Sequence, residues 1–258
     1  MKAALLQALR TRHLGRDCWF FDTLESTQTT AADYATKGAA HGALVWARVQ
    51  TAGRGRMGRT WLSGDGSLCA SVILRDGVDA GSAFHWSFVA GLALHDVITA
   101  RIGPGAKLKW PNDVLIVEAS GGARKVAGIL CTLELQPHPA VIVGVGVNLG
   151  FDPVAHDPTL AGRAAPLPRE DAGAWLAELL LQLERRADEH LRLGALHTLA
   201  ETRARLAFVG EIASVKTAAG ELRGRVLGLN DAFELRVEDE AGREQTIAAA
   251  DVWPAAAP

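Results

Sequence analysis

Apolar residues along this chain recur in two rhythms, and the changes between them lay out its elements. A helical spacing over residues 3–14 sets Leu5, Leu6, Leu9 and His13 or Leu14 on one side. Residues 18–22, Cys-Trp-Phe-Phe-Asp, read as a strand, and 43–49 alternate as a half-buried one. Between them a helix runs to Lys37 and is closed by Gly38, with Ser26 and Thr27 as candidate N-caps whose hydroxyls can also face a ligand. Strand 67–74 precedes a long apolar helix over 84–102, ended by Gly103-Pro104-Gly105; His85 and His95 within it read as core or surface histidines. Residues 107–117 predict strand, Pro111-Asn112-Asp113 turn, strand. Beyond a glycine-rich tip at 119–123, Lys125 opens a strand to about 135. Residues 140–147 form another, ending at Asn148, whose Gly144 and Gly146 suggest close approach by a ligand or another backbone.

After a connecting loop at 151–168, a long amphipathic helix spans 169–193 with Trp175, Leu176, Leu179, Leu180 and Leu183 inward, then a short helix reaches about Leu206. From Phe208 the rhythm shortens to strands at 211–217, 221–229, 233–238 and 245–248, with turns at Ala219-Gly220, Asn230-Asp231 and Ala241-Gly242. The expected fold is α+β. A mixed β-sheet catalytic domain with flanking helices occupies residues 1–206, and a small SH3-like β-barrel or partial barrel occupies 207–258.

The stretch from Gln50 to Trp61 breaks both rhythms: Gly53, Gly55 and Gly58 are interleaved with Arg54, Arg56 and Arg59. The pattern Gly-x-Gly-x-x-Gly matches a dinucleotide fingerprint, but that fingerprint needs a helix to open at its last glycine. Turn formers and a strand follow instead. A mobile cationic flap fits better, with glycine flexibility, mutually repelling guanidiniums, and ordering by an anionic ligand. Trp61 would supply an apolar wall. Asn112 and Asp113, at a strand-end turn, could meet a nucleotide and its Mg²⁺.

Composition narrows the setting. Hydrophobic content of 48% is that of a globular protein, and a net charge of -2 gives no general field for nucleic acid, so the flap is a local feature. Cys18, Cys69 and Cys131 show no metal or redox spacing, which fits reduced thiols in a cytoplasmic protein. No signal peptide or membrane-spanning run is expected.

Taken together, Ser26-Thr27, Gln50, the 53–58 flap, Lys109-Trp110-Pro111-Asn112-Asp113, Lys125-Val126-Ala127-Gly128 and Gly144-Val145-Gly146-Val147-Asn148 resemble the catalytic core of biotin–protein ligases, in order and over residues 18–253. The resemblance implies an ATP-dependent ligase that forms biotinyl-5′-AMP and pyrophosphate. It then passes biotin to one lysine of a biotin carboxyl carrier protein, that of acetyl-CoA carboxylase. It implies Lys125 and Arg56 as catalytic residues, and Ser26, Thr27, Gln28, Gln50, Arg54, Gly55, Arg56, Trp61 and Lys125 around biotin. Asn112, Lys125 and Asn148 would contact the nucleotide, and Asp113 would bind Mg²⁺. ATP and Mg²⁺ are the implied cofactors. A lipoate ligase or an acyl transferase of the same core, the latter needing a cysteine–lysine pair, is the alternative.

Three departures stand out: Gln28 where many members have Asn, a longer tip at 119–123, and Ala232-Phe233 in place of a glycine after the Asn230-Asp231 turn. Too few residues precede the first strand for a winged helix-turn-helix, so no DNA binding is expected. The expected assembly is a monomer or a weak, ligand-linked homodimer.

Overall fold

The computed structural model describes residues 1–79, 81, 83–118, 122–218 and 220–255; most of the glycine-rich tip (119–121) and Ala219 of the first C-terminal turn lie outside them. Helix α1 (Lys2–Ala8) leads to β1 (Cys18–Leu24), α2 (Thr27–Thr36), β2 (Leu44–Gln50) and β3 (Leu68–Leu74). Helix α3 (His85–Ile102) precedes β4 (Ala106–Lys109), β5 (Asp113–Val117), β6 (Ala123–Glu134) and β7 (Ala140–Val147). Helices α4 (Ala172–Leu193) and α5 (Ala195–Arg203) follow, then β8 (Ile212–Thr217), β9 (Gly220–Leu229), β10 (Leu235–Asp239), β11 (Glu244–Ile247) and β12 (Asp251–Pro254).

Seven strands form one mixed sheet in the order β1-β2-β3-β7-β6-β5-β4. Only β1 and β2 run parallel, because α2 makes the crossover between them; every other pair is antiparallel. All eight residues of β7 are buried, since both faces of the sheet are covered there. On one face Ala31 and Ala35 of α2 pack on Val45, Ile73 and Ile142. On the other, Trp86, Val89 and Leu94 of α3 meet Trp175, Leu179 and Leu183 of α4. Helix α3 is apolar nearly all round because it touches α4, α5 and the sheet at once.

The first helix stops at Ala8 rather than 14. Beyond it the backbone N–H groups of Arg12, His13 and Leu14 donate to the Glu184 carboxylate of α4 at 2.7, 2.8 and 3.1 Å, which replaces helical hydrogen bonds. Likewise α4 begins at Ala172, not 169, because the Asp171 carboxylate caps it by accepting from the Ala174 N–H at 2.8 Å.

The C-terminal strands form a five-stranded antiparallel sheet, β11-β10-β9-β8-β12, whose ladder is open between its edges β11 and β12. Of the expected barrel or partial barrel, a closed barrel is not formed among the described residues, and β12, which pairs with β8, was not foreseen. This sheet shares a core with the larger one: Phe88, Trp110 and Leu115 pack with Phe233, Leu235 and Val252. The Trp110 indole N–H donates to the Phe233 carbonyl at 2.9 Å. Phe233 takes a left-handed φ of 62°, where a glycine would be unstrained, yet is fully buried. Burying that ring contributes about 2–3 kcal/mol, which exceeds the roughly 1–2 kcal/mol of backbone strain. The outer edge of β4 is also covered, with Leu108 N–H donating to Arg205 O and Leu108 O accepting from Ala207 N–H.

Candidate active site

The chain ends of β2, β4 and β7, the start of α2 and the loop after β2 surround one cavity of about 270 Å³. All twelve residues singled out from the sequence line it: Ser26, Thr27, Gln28, Gln50, Arg54, Gly55, Arg56, Trp61, Asn112, Asp113, Lys125 and Asn148.

Ser26 occupies the N-cap position of α2, yet its hydroxyl makes no cap bond; it is buried and without a partner. The helix start is satisfied differently. The Thr27 N–H and hydroxyl both donate to Gln50 Oε1, at 2.7 and 3.1 Å, and Ser71 donates its hydroxyl to Thr27 Oγ1 at 2.9 Å. Gln28 reaches the sheet, where its amide donates to Thr132 Oγ1 at 2.8 Å and to the Ile142 carbonyl at 3.0 Å. An unsatisfied buried hydroxyl costs about 1–3 kcal/mol, which a polar ligand group at Ser26 would recover.

The strand glycines have a use other than ligand approach. A Cβ on Gly146 would lie 2.3 Å from Trp61 Cε2, one on Gly128 2.9 Å from Trp61 Cζ3, and one on Gly144 2.2 Å from Gln28 Oε1. They make room for the chain's own indole and amide, so Trp61 lies flat on β6 and β7. Gly146→Ala is expected to displace Trp61 and lower stability by about 1–3 kcal/mol, read as an earlier denaturant midpoint.

The flap is a short hairpin with a single 3₁₀ turn at Arg56–Gly58 and a bridge between Arg54 and Thr60. The mutual repulsion of its arginines is offset, because each has a separate acceptor. Arg54 reaches Thr29 Oγ1 at 3.5 Å, Arg56 reaches Asn112 Oδ1 at 3.3 Å, and Arg59 reaches Asp251 Oδ2 at 3.0 Å. Gly55 donates its N–H to the Arg59 carbonyl at 2.7 Å. Arg56 is half-buried; burial lowers its pKa from the ordinary value against the opposing pull of Asp113.

Asp113 opens β5 and is buried between two ammonium groups. Lys125 Nζ lies 2.6 Å from its Oδ1 and Lys109 Nζ 3.1 Å from its Oδ2. Burial would raise this carboxyl's pKa, but the two lysines hold it below the usual carboxylate range. The Mg²⁺ role expected of Asp113 does not fit this arrangement, since both oxygens are engaged by cations. No group of three His, Cys, Asp or Glu that could hold a metal occurs among the described residues.

Lys125 sits two residues into β6, its ammonium 5.2 Å from the Trp61 ring. Asn112 accepts from Arg56 and donates to the Ile129 carbonyl at 2.8 Å, which leaves its second amide hydrogen and a lone pair for a ligand. Asn148 lines the cavity and donates to the Ala165 carbonyl at 3.0 Å, which fastens the neighbouring segment to the end of β7.

Sequence reasoning missed the contribution of β12. Asp251 and Trp253 line the cavity together with Arg163, and Asp251 accepts from Lys109 Nζ at 2.7 Å. No spacing signal links a short Asp-Val-Trp run to a motif so far upstream. Counting these, six cationic side chains (Arg54, Arg56, Arg59, Lys109, Lys125 and Arg163) face two carboxylates in the cavity of a protein whose net charge is -2. Such a cavity can gather negative oxygens and stabilise charge developing among them.

Residues 20–148 match the model of the biotin/lipoate A/B protein ligase family. A biotin–[acetyl-CoA-carboxylase] ligase of Paracoccus denitrificans is 37% identical over 242 residues, covering 89% of this chain and 97% of that one. The bifunctional ligase/repressor BirA of Bacillus subtilis (strain 168) is 30% identical over 93% of this chain and 75% of its own length. In fold the chain is similar to the biotin protein ligase from Aquifex aeolicus solved in complex with biotin and ATP, with a TM-score of 0.78 at 23% identity over 92% of this chain and 98% of that one.

Proposed function

Because the chain belongs to the biotin/lipoate A/B protein ligase family, we propose that it joins biotin to ATP as biotinyl-5′-AMP and transfers biotin to a lysine of the carboxyl carrier domain of acetyl-CoA carboxylase. The observation that carries this reading is the pairing, in one cavity, of a buried hydroxyl–amide cluster with an excess of cations. Biotin's ureido group is neutral and polar, and suits Ser26 Oγ together with Thr27 and Gln50; its apolar ring edge suits Trp61.

In the first step a biotin carboxylate oxygen attacks the α-phosphorus of ATP, and pyrophosphate leaves with the bonding pair. Two anionic groups must approach, so fixed positive charge is the main requirement. Lys125, ion-paired with Asp113 at 2.6 Å, turns its ammonium hydrogens to the carboxylate and α-phosphate oxygens. Arg56 covers the same region from the flap. The nucleotide assignment rests on Asn112, Lys125 and Asn148, and we assign Asn148 to adenine. The product is a mixed anhydride that water would cleave, so a closed flap protects it.

In the second step the acceptor lysine's Nζ attacks the biotinyl carbonyl. The bond to AMP breaks, AMP leaves with its electron pair, and the nitrogen loses a proton. A cationic cavity favours the neutral amine this step needs. No cysteine is suited to carry the acyl group, as the other transferase chemistry would require. Burial pushes the Cys18 thiol up to about 11 and those of Cys69 and Cys131 up to about 12. We assign the ligase chemistry to residues 1–206, with Asp251 and Trp253 of the C-terminal sheet completing the cavity wall. The repressor activity in the name of the Bacillus subtilis relative is carried over on no residue of this chain.

Biotin-dependent exchange of labelled pyrophosphate into ATP, with Mg²⁺ supplied alongside the nucleotide, tests the first step. Exchange with biotin and none with lipoate or octanoate is expected. Exchange with lipoate alone would assign the chain to the other branch of its family.

A further inference from the structure

Strand β12 belongs to the C-terminal sheet, yet it touches three separate segments of the cavity wall. Asp251 Oδ2 accepts from the flap's Arg59 at 3.0 Å, and Asp251 Oδ1 accepts from Lys109 at 2.7 Å. Two residues on, on the same side of the strand, the Trp253 ring has the Lys109 ammonium 4.4 Å from its centroid and the Arg163 guanidinium 5.5 Å from it. Lys109 is only 3% exposed, so a displaced counter-charge there could not be replaced cheaply by water.

These contacts join into a single line of alternating charge. It runs Arg59, Asp251, Lys109, Asp113, Lys125, with successive separations of 3.0, 2.7, 3.1 and 2.6 Å. One end lies on the flap and the other is Lys125, to which the ligase reading gives the carboxylate and α-phosphate. Burial would raise Asp251's pKa, but Lys109 and Arg59 hold it below the ordinary carboxylate range, so it is ionised at neutral pH.

We propose that Asp251 is a positioning residue that latches the flap to the C-terminal sheet and, through Lys109 and Asp113, couples flap closure to the placement of Lys125. The coupling to adenylate rests on the ligase reading above, whereas the latch itself does not. When Arg59 is held, Asp251 shares its charge between the flap and Lys109. When the flap lifts, Asp251 turns wholly to Lys109, which relaxes its hold on Asp113, and Asp113 then binds Lys125 more tightly. An open flap thereby draws Lys125 back from substrate, so that activation is restricted to the closed cavity.

The test uses the full chain as Asp251→Asn, Asp251→Glu, Arg59→Ala and the double variant Asp251→Asn/Arg59→Ala. In the ligand-free protein, tryptic cleavage after Arg54 and Arg56 is expected to rise about five- to tenfold in Asp251→Asn and in Arg59→Ala. Asp251→Glu should restore most of the protection, and the double variant should be no faster than either single one. With biotin and ATP, the same variants should release a larger fraction of biotinyl-adenylate into solution, with the apparent KM for biotin changed less than the turnover. Cleavage of Asp251→Asn at the wild-type rate would overturn the latch, as would additive effects in the double variant. Should Asp251→Asn fail to fold, Arg59→Ala, altered on an exposed loop, carries the same comparison. If the wild type shows no biotin-dependent exchange while Asp251→Asn still frees the flap, the ligase reading fails and the latch stands.

Discussion

Lys125→Ala is expected to lose adenylate formation itself, by on the order of 10²–10³ in rate, while biotin still binds. The reason lies in how the ammonium is held. Lys125 belongs to β6, and its backbone is fixed on both sides: its N–H donates to the Arg163 carbonyl at 2.8 Å and its carbonyl accepts from Ala165 at 3.0 Å. The Asp113 carboxylate at 2.6 Å and the Trp61 face then restrict where the side chain can go. A donor aimed in advance costs no reorganisation when charge develops, and Ala removes it outright. The loss also strands Asp113, which then falls to Lys109 alone. Rapid-quench measurement of adenylate per enzyme checks this. Adenylate formed at the normal rate by Lys125→Ala would show that the lysine does not act in the first step.

Arg56→Gly is expected to show the opposite division: adenylate still forms, slowed by about tenfold or less, but much of it escapes. Arg56 is the flap residue that turns inward, onto Asn112 at 3.3 Å and toward Asp113. Replacing it by glycine removes that contact and adds backbone freedom to a loop that already holds Gly53, Gly55 and Gly58. The free mixed anhydride would then acylate exposed lysines on any protein nearby. Adenylate recovered after rapid filtration, beside biotin found on bystander protein, reads the effect. Abolished formation with no leak would place Arg56 with Lys125 in the chemical step.

Much of this site was legible because each motif sits where a strand ends or a helix begins, and such positions are set by local pattern. Ser26-Thr27 before an apolar helix, Gln50 at the end of an alternating run and Asn148 after a Val- and Ile-rich strand could all be placed before knowing what they face. What they face was less accessible. Gly146 signals a close approach, but nothing in its neighbourhood says that the approaching group is Trp61, which lies on another loop. Asp113 in a turn looks available to a cation, and only the fold shows that Lys109 and Lys125 already occupy it. The interior bend after Ala8 depends on Glu184, far along the chain, and β12 is too short for alternation to register. In each case the deciding partner is distant in sequence, where periodicity carries no information.

The core shared by Phe88, Trp110, Leu115 and Phe233 has a consequence for how such a chain can change over generations. A module traded between genes must bring its own interior, and this C-terminal sheet does not. Its central ring, Phe233, lies against α3, and Trp110 hangs from its backbone by the bond at 2.9 Å. Shuffling the sheet for a foreign one would leave those side chains without partners and Lys109 without Asp251. Variation in the C-terminal strands is therefore tied to a few positions on α3 and beside β4, and the sheet can change only in step with them.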